Sequence, residues 1–376
     1  MLGLGCGDTE PDDAPVAGSA GDVQTSAGGA GSAGEPAADG GDGGAGQGGR
    51  TDPAGRAGAG GKAGQANGGT GGSGGSAGAG GSRVPSSLAE TGLYSDASTE
   101  TLAPGVEEYA PQFALWSDGA TKKRYFYLPP GTKIDTSDMD SWSFPVGTKA
   151  WKEFTRDGVR VETRLMQKLP DRWLMVAYGW NADQTRAVPL VDGARNVNGT
   201  THDIPNSADC GTCHEGSVDR LLGVSAIQLS HAGDGTTLQK LIDADRLTQA
   251  PSAAFVVPGD DKAKAALGAL HANCGTCHNE HGAGMDRAKD LRLWLTVADL
   301  ASVEATPTYR TTVAKDVKSE TIPDVTKLIV AGKPDQSGVL KRIEAARGQK
   351  LSMPPLATEL SDPDTAAAVR AWISEL

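Results

Sequence analysis

The chain has 376 residues and a formal net charge of −12, with 38% hydrophobic and 5% aromatic residues. That length predicts two or three domains, and the acidic balance argues against nucleic acid or an anionic membrane surface as a partner. All seven Trp, six Tyr and five Phe lie beyond residue 82, so the whole-chain averages understate the apolar content of the part that can fold.

Residues 1–82 hold more than half of the 52 glycines, mixed with Ala, Ser and Asp. Such a stretch buries too little surface to offset its ordering entropy, and the composition predicts a disordered Gly/Ala/Ser-rich linker. The start, Met1-Leu2-Gly3-Leu4-Gly5-Cys6, resembles the end of a bacterial lipoprotein signal, in which small residues precede an acylated cysteine. The resemblance implies a membrane tether through Cys6, although Gly3 stands where a leucine-like residue is usual. No stretch elsewhere approaches a membrane-spanning length.

From 84 to 200 the pattern is extended, and a small antiparallel β domain is expected. Tyr125–Leu128 ends at Pro129-Pro130-Gly131, a turn signal. Lys149–Thr155 carries Trp151 and Phe154 as candidate buried anchors. Asp157-Gly158 turns into Val159–Leu165, which alternates apolar and polar residues, and Trp173–Tyr178 follows. The three central strands should be consecutive neighbours.

Cys210-Gly-Thr-Cys213-His214 then gives the Cys-X-X-Cys-His signature of c-type haem attachment. One helical turn separates the cysteines, so both sulfurs can reach the vinyl groups of one porphyrin, and the histidine is placed as proximal iron ligand. Cys274-Gly-Thr-Cys277-His278 repeats the signature with the same filler residues. The competing readings are one zinc held by both pairs, two structural disulfides, or a redox dithiol. The 64 positions from Cys210 to Cys274 exceed the roughly 15–20 residues of zinc ribbons, and no βαβ pattern surrounds either pair. Two c-type haems are therefore expected, in units spanning 201–272 and 273–376. Both units are expected to be mainly α-helical and cytochrome c-like, which makes the whole chain a multidomain β + α protein. Helical stripes appear over Thr237–Leu247 and Asp261–Asn273. Leu221, Leu222, Val224, Ile227 and Leu229 fit a short helix or loop against the first haem. The last helix should begin at Ser361-Asp362-Pro363-Asp364 and present Ala368, Val369, Trp372 and Ile373.

The sixth iron ligands differ between the sites. Met353-Pro354-Pro355 precedes the last helix, and the prolines hold the loop extended. Met353 is the candidate for the second haem, against the alternative of a core methionine; Met285 is a rival close to His278. No methionine lies between His214 and Cys274. His231 is the first candidate there and His202 the second; a different ligand, water or an open position remains. His271 and His281 flank the second motif and are expected to bond a propionate or face the surface.

Several segments together carry a wider resemblance. They are Phe113–Asp118 (FALWSD), Tyr127–Thr132 (YLPPGT), Phe144–Thr148 (FPVGT), Glu162–Leu165 (ETRL), Trp180-Asn181, Gln184-Thr185, Ile204–Asn206 (IPN), Gln228-Leu229, Gly332–Ser337 (GKPDQS) and Met353–Pro355 (MPP). From about Tyr109 onward the chain resembles a group of bacterial dihaem c-type cytochrome-like envelope proteins. The resemblance implies an extracytoplasmic dihaem electron-transfer protein, periplasmic or lipid-anchored, with unidentified redox partner proteins and no catalytic residues. Two alternatives stay open. One is a dihaem peroxidase or oxidase with one five-coordinate haem. The other is a haem-bearing binding module for an envelope dehydrogenase or polysaccharide.

Overall fold

Alternating side chains build the centre of the molecule. The computed structural model describes residues 83–376 apart from 99, 285–287, 289, 319–321 and 356–357. The expected linker, Cys6 and Met285 lie outside the described residues. The described residues form eight strands: β1 (Tyr94–Asp96), β2 (Thr101–Leu102), β3 (Val106–Glu108), β4 (Thr121–Tyr127), β5 (Lys149–Arg156), β6 (Val159–Lys168), β7 (Trp173–Trp180) and β8 (Ala187–Pro189). β1 and β2 form a ribbon, and β3 to β8 form a six-stranded antiparallel meander in chain order. The β5–β6 turn sits at Asp157-Gly158 with φ of +51° and +79°, the left-handed pair that a two-residue hairpin turn requires.

The sheet is covered on both faces. Tyr125, Trp151, Leu165 and Val176 oppose one another across β4 to β7 and pack with Leu88, Leu93 and Tyr94 from the preceding segment. Phe126, Ala150 and Met166 line the other face in the same way. They pack with Leu128, Ile134 and Phe144, and also with Leu221, Val224, Leu229, Leu238, Leu241 and Leu247. The chain after residue 200 thus finishes the core of the sheet before it.

The six described α-helices are α1 (Asp209–His214), α2 (Leu238–Asp243), α3 (Asp261–Asn273), α4 (Pro307–Thr312), α5 (Gly338–Glu344) and α6 (Pro363–Glu375). Four of them are only six or seven residues long, and turns and irregular chain join them. The expected pair of mainly helical cytochrome c-like units is therefore not found, and the multidomain β + α assignment is corrected. Burial explains the difference. Leu221, Val224, Ile227 and Leu229 are all buried, but the sheet and α3 already offer them apolar surfaces, so no helix bundle has to form around them. Ile227 and Val257 join the last core, which holds Leu267 and Leu270 of α3 with Val369, Trp372 and Ile373 of α6. Phe255 and Val297 touch both this core and that of the sheet. Sheet and helices accordingly belong to one unit, Ser76–Leu376.

Candidate functional site

The first motif lies on α1. Asn206 holds the turn that leads into this helix, its side-chain oxygen accepting from the Ala208 and Asp209 amides at 2.9 and 3.0 Å. Cys210 and Cys213 are free thiols, each partly exposed. The Nδ1 of His214 is 2.6 Å from the Arg220 carbonyl oxygen. A carbonyl only accepts, so the proton sits on Nδ1 and Nε2 keeps its lone pair. A ring fixed in this way is what a metal-ligating histidine requires. Burial pushes His214 down to about 4, against the pull of that hydrogen bond, so the ring is neutral at pH 7.

The second motif follows α3, which Asp260 caps by accepting from the Ala263 amide at 2.9 Å. The Cys274 and Gly275 amides both donate to the Leu270 carbonyl, and the Cys277 and His278 amides both donate to that of Cys274. The motif is thus a turn wound onto the helix end. Gly275 makes it possible, because a Cβ there would lie 2.5 Å from the His271 carbonyl oxygen and 3.0 Å from the Trp294 Cα. His278 Nδ1 is buried with no hydrogen-bond partner. Burial lowers the His278 pKa, helped by Arg342 and Arg292.

The two motifs meet. Gly216, just past His214, packs so closely on the second motif that a Cβ would fall 1.7 Å from the Thr276 carbonyl oxygen. Asn279 braces the contact, donating to the carbonyls of Gly275 (2.7 Å) and Thr276 (3.1 Å). Burial raises the Cys213 pKa, and Cys277 adds to the rise, so the two thiols are within electrostatic reach. All four thiols are raised chiefly by burial, Cys274 to about 12. Protonated thiols do not suit a redox dithiol. Among the described residues no three His, Cys, Asp or Glu side chains converge as a metal site, which argues against a zinc caged by both pairs.

The candidate sixth ligands fare differently. The Met353 amide donates to the Arg342 carbonyl at 2.9 Å, and its carbonyl accepts from Arg347 at 2.6 Å. Arg342, on α5, also acts electrostatically on His278, so one residue connects the methionine loop to the proposed proximal ligand. Arg347 donates further to the Ile343 and Leu360 carbonyls, and Asp118 accepts from the Glu359 and Leu360 amides. Phe113–Asp118 therefore braces this loop; it also reaches α3, where the Trp116 amide donates to Asn273 at 2.6 Å. His231 donates from Nε2 to the Ala110 carbonyl (2.7 Å) and accepts at Nδ1 from the Gly233 amide (3.0 Å). Both of its nitrogens are used, leaving no lone pair for iron. His202 is buried and bonded through Nε2 to Glu162 at 2.8 Å. His271 is a core residue, accepting at Nδ1 from the Leu295 amide at 3.0 Å, and His281 is exposed.

Sequence reasoning missed a charged face of the sheet. Arg164 acts on Cys210 and Cys213, and Lys152 on Cys213 and His214. These cations share the face of Phe126, Ala150 and Met166, where alternation calls for apolar residues. That misfit was the available signal.

The chain matches no protein-family model, no curated protein and no solved structure.

Proposed function

We propose that this chain is a dihaem c-type cytochrome of the bacterial cell envelope that passes electrons between partner proteins. Cys210 and Cys213 would hold one haem and Cys274 and Cys277 the other through thioether bonds, with His214 and His278 as proximal ligands and Met353 as the distal ligand of the second. A bound haem supplies a one-electron iron couple. The residues of the chain set its spacing, ligation and burial, and no acid–base group is required. One observation carries this reading: two motifs far apart in sequence lie side by side, with His214 locked in the tautomer that frees Nε2. The orphaned Nδ1 of His278 and the pinned Met353 loop add to it. The resemblance to dihaem envelope proteins and the lipoprotein-like start favour an extracytoplasmic place, periplasmic or lipid-anchored, and the acidic charge suits basic redox partners. Among the described residues no helix is long and apolar enough to cross a membrane.

The test is maturation of the full chain beside its Cys210→Ser/Cys213→Ser variant. Two covalent haems falling to one supports the reading; no covalent haem on either chain overturns it. A second reading draws on His231, both of whose nitrogens are used, so the first site is without its foremost histidine candidate. An open first iron would suit a peroxidase or oxidase. Cyanide binding to one haem in the oxidised protein favours that enzyme, and two six-coordinate low-spin haems favour the carrier.

A further inference from the structure

The register of the sheet places three cations in one row. Arg124 on β4 lies opposite Lys152 on β5, and Lys152 lies opposite Arg164 on β6. Like charges directly opposed on a sheet are destabilising, so the row needs anions. The neighbouring row of Lys122, Phe154 and Glu162 adds one cation and one carboxylate. Glu162 is fully committed. It takes two hydrogen bonds from Arg164, at 2.8 and 2.6 Å, and bonds His202. Lys122 donates to the Leu115 carbonyl and to Ser117, with Asp118 and Asp362 in electrostatic reach.

Arg124 and Lys152 are left over. Arg124 is only 7% exposed and Lys152 is half-buried; among the described residues neither side chain has a hydrogen bond or ion pair. Lys152 lies 5.9 Å from the face of Phe154 with Glu162 in electrostatic reach, and burial together with Arg124, Arg164 and Lys122 holds its pKa well below the usual lysine range. Both line a cavity shared with Phe113, Gln228, Thr276 and Trp294, so it opens between the sheet and the second motif. From the same face Lys152 acts on Cys213 of the first. Two basic side chains without an ion-pair partner thus face the place where the motifs meet. A charge held out of water without a partner is costly, and an arriving carboxylate would offset that cost for Arg124 and favour the protonated form of Lys152.

We propose that Arg124 and Lys152 form a carboxylate site that receives haem propionates, an inference that rests on the proposed function. No covalent step is involved; the site forms charge-assisted hydrogen bonds and ion pairs. A cation held beside a haem stabilises the electron-added state, so its removal lowers the midpoint potential.

The test uses the matured full chain with Arg124→Gln, Lys152→Gln and, as control, Lys123→Gln, an exposed residue that points to the opposite face. Haem is counted first. Redox titration follows, with infrared difference spectra of protein carrying haem labelled with carbon-13 at the propionate carboxyls. Each site variant is expected to keep two haems, to lose about tenfold in the equilibrium constant for reduction of one haem (about 59 mV for a one-electron couple), and to shift a labelled carboxylate band. The spectrum of the haem whose midpoint falls identifies which haem supplies the carboxylate. Two haems with midpoints and bands unchanged, as in the control, overturn this inference and leave the proposed function standing. Absence of covalent haem from the parent chain overturns both. Should the variants fail to load, the labelled parent protein decides: propionates that all titrate like free carboxylates overturn the site, and propionates held ionised well below that range support it.

Discussion

The buried carboxylate of Asp219 accepts from the Phe144 amide at 2.6 Å and the Trp173 indole at 2.9 Å, and pairs with Lys168. It ties the segment after the first motif to two strand-side elements of the sheet. Asp219→Ala leaves a buried amide, an indole N–H and an ammonium without their acceptor. It is expected to cost about 3 kcal/mol, read as a lower urea midpoint with an unchanged slope; a loss below 0.5 kcal/mol would remove Asp219 from this role. Asp140 shows the opposite balance. Burial pushes it up to about 6, although the Val297 amide donates to it. Its folded pKa exceeds the model-compound value of 3.8, so its cost is absent below that value and grows as pH rises towards 6. Asp140→Asn keeps an acceptor for Val297 and is expected to stabilise by about 1–2 kcal/mol at pH 7 after allowance for solvent screening, with little gain at pH 3.5. Equal gains at both pH values would contradict the assignment. At this scale the spacing of Cys and His in the sequence was enough to mark the motifs. The isolation of Arg124 and Lys152 was not legible, because partners come from the register of three strands. Nor was the use of both His231 nitrogens, which depends on a carbonyl 121 positions away.

Helix α3 and the strand pair around Asp157-Gly158 were the most legible elements, since their periodicity agrees with the surfaces they cover. The stripe over Thr237–Leu247 was less so. The helix stops at Asp243, Asp245 takes φ of +51°, and Arg246 donates to the Leu128, Pro129 and Thr132 carbonyls. Leu247 then pairs with Ile134 as a β-bridge. Hydrogen bonds to a distant loop outweighed another turn of helix, as tertiary contacts commonly do. The last helix was signalled by its cap: Asp362 accepts from the Asp364 and Thr365 amides at 3.1 and 3.0 Å. Its Trp372 is buried against α3. Trp372→Ala is expected to destabilise by about 3–5 kcal/mol. Because α3 leads into the second motif, a haem attached at Cys274 and Cys277 should lose its axial ligation on warming before one attached at the first pair, while both stay covalently bound. Low-spin spectra of both haems that melt together, as in the parent chain, would separate α6 from the support of that motif.

Across the whole molecule, the sheet was foreseeable and its union with the later chain was not. Composition and period mark a β-rich stretch and then a change of pattern, and they cannot say that Leu221–Leu247 completes the sheet's own core. Shared residues such as Phe255 and Val297 bind the two large cores together. The haem-free chain is therefore expected to unfold in one urea transition, with tryptophan fluorescence and far-ultraviolet dichroism coincident. Trp142 and Trp173 report one core and Trp372 the other, so separate transitions would contradict the single unit.

The central claim is that both Cys-X-X-Cys-His motifs carry covalent haem. Intact mass and pyridine haemochrome of the full chain, made in a host that attaches c-type haem, measure this directly. Two haems per chain are expected, each held by two thioether bonds at Cys210/Cys213 and Cys274/Cys277. An unmodified mass with four free thiols, from a host that loads a control cytochrome, would contradict it.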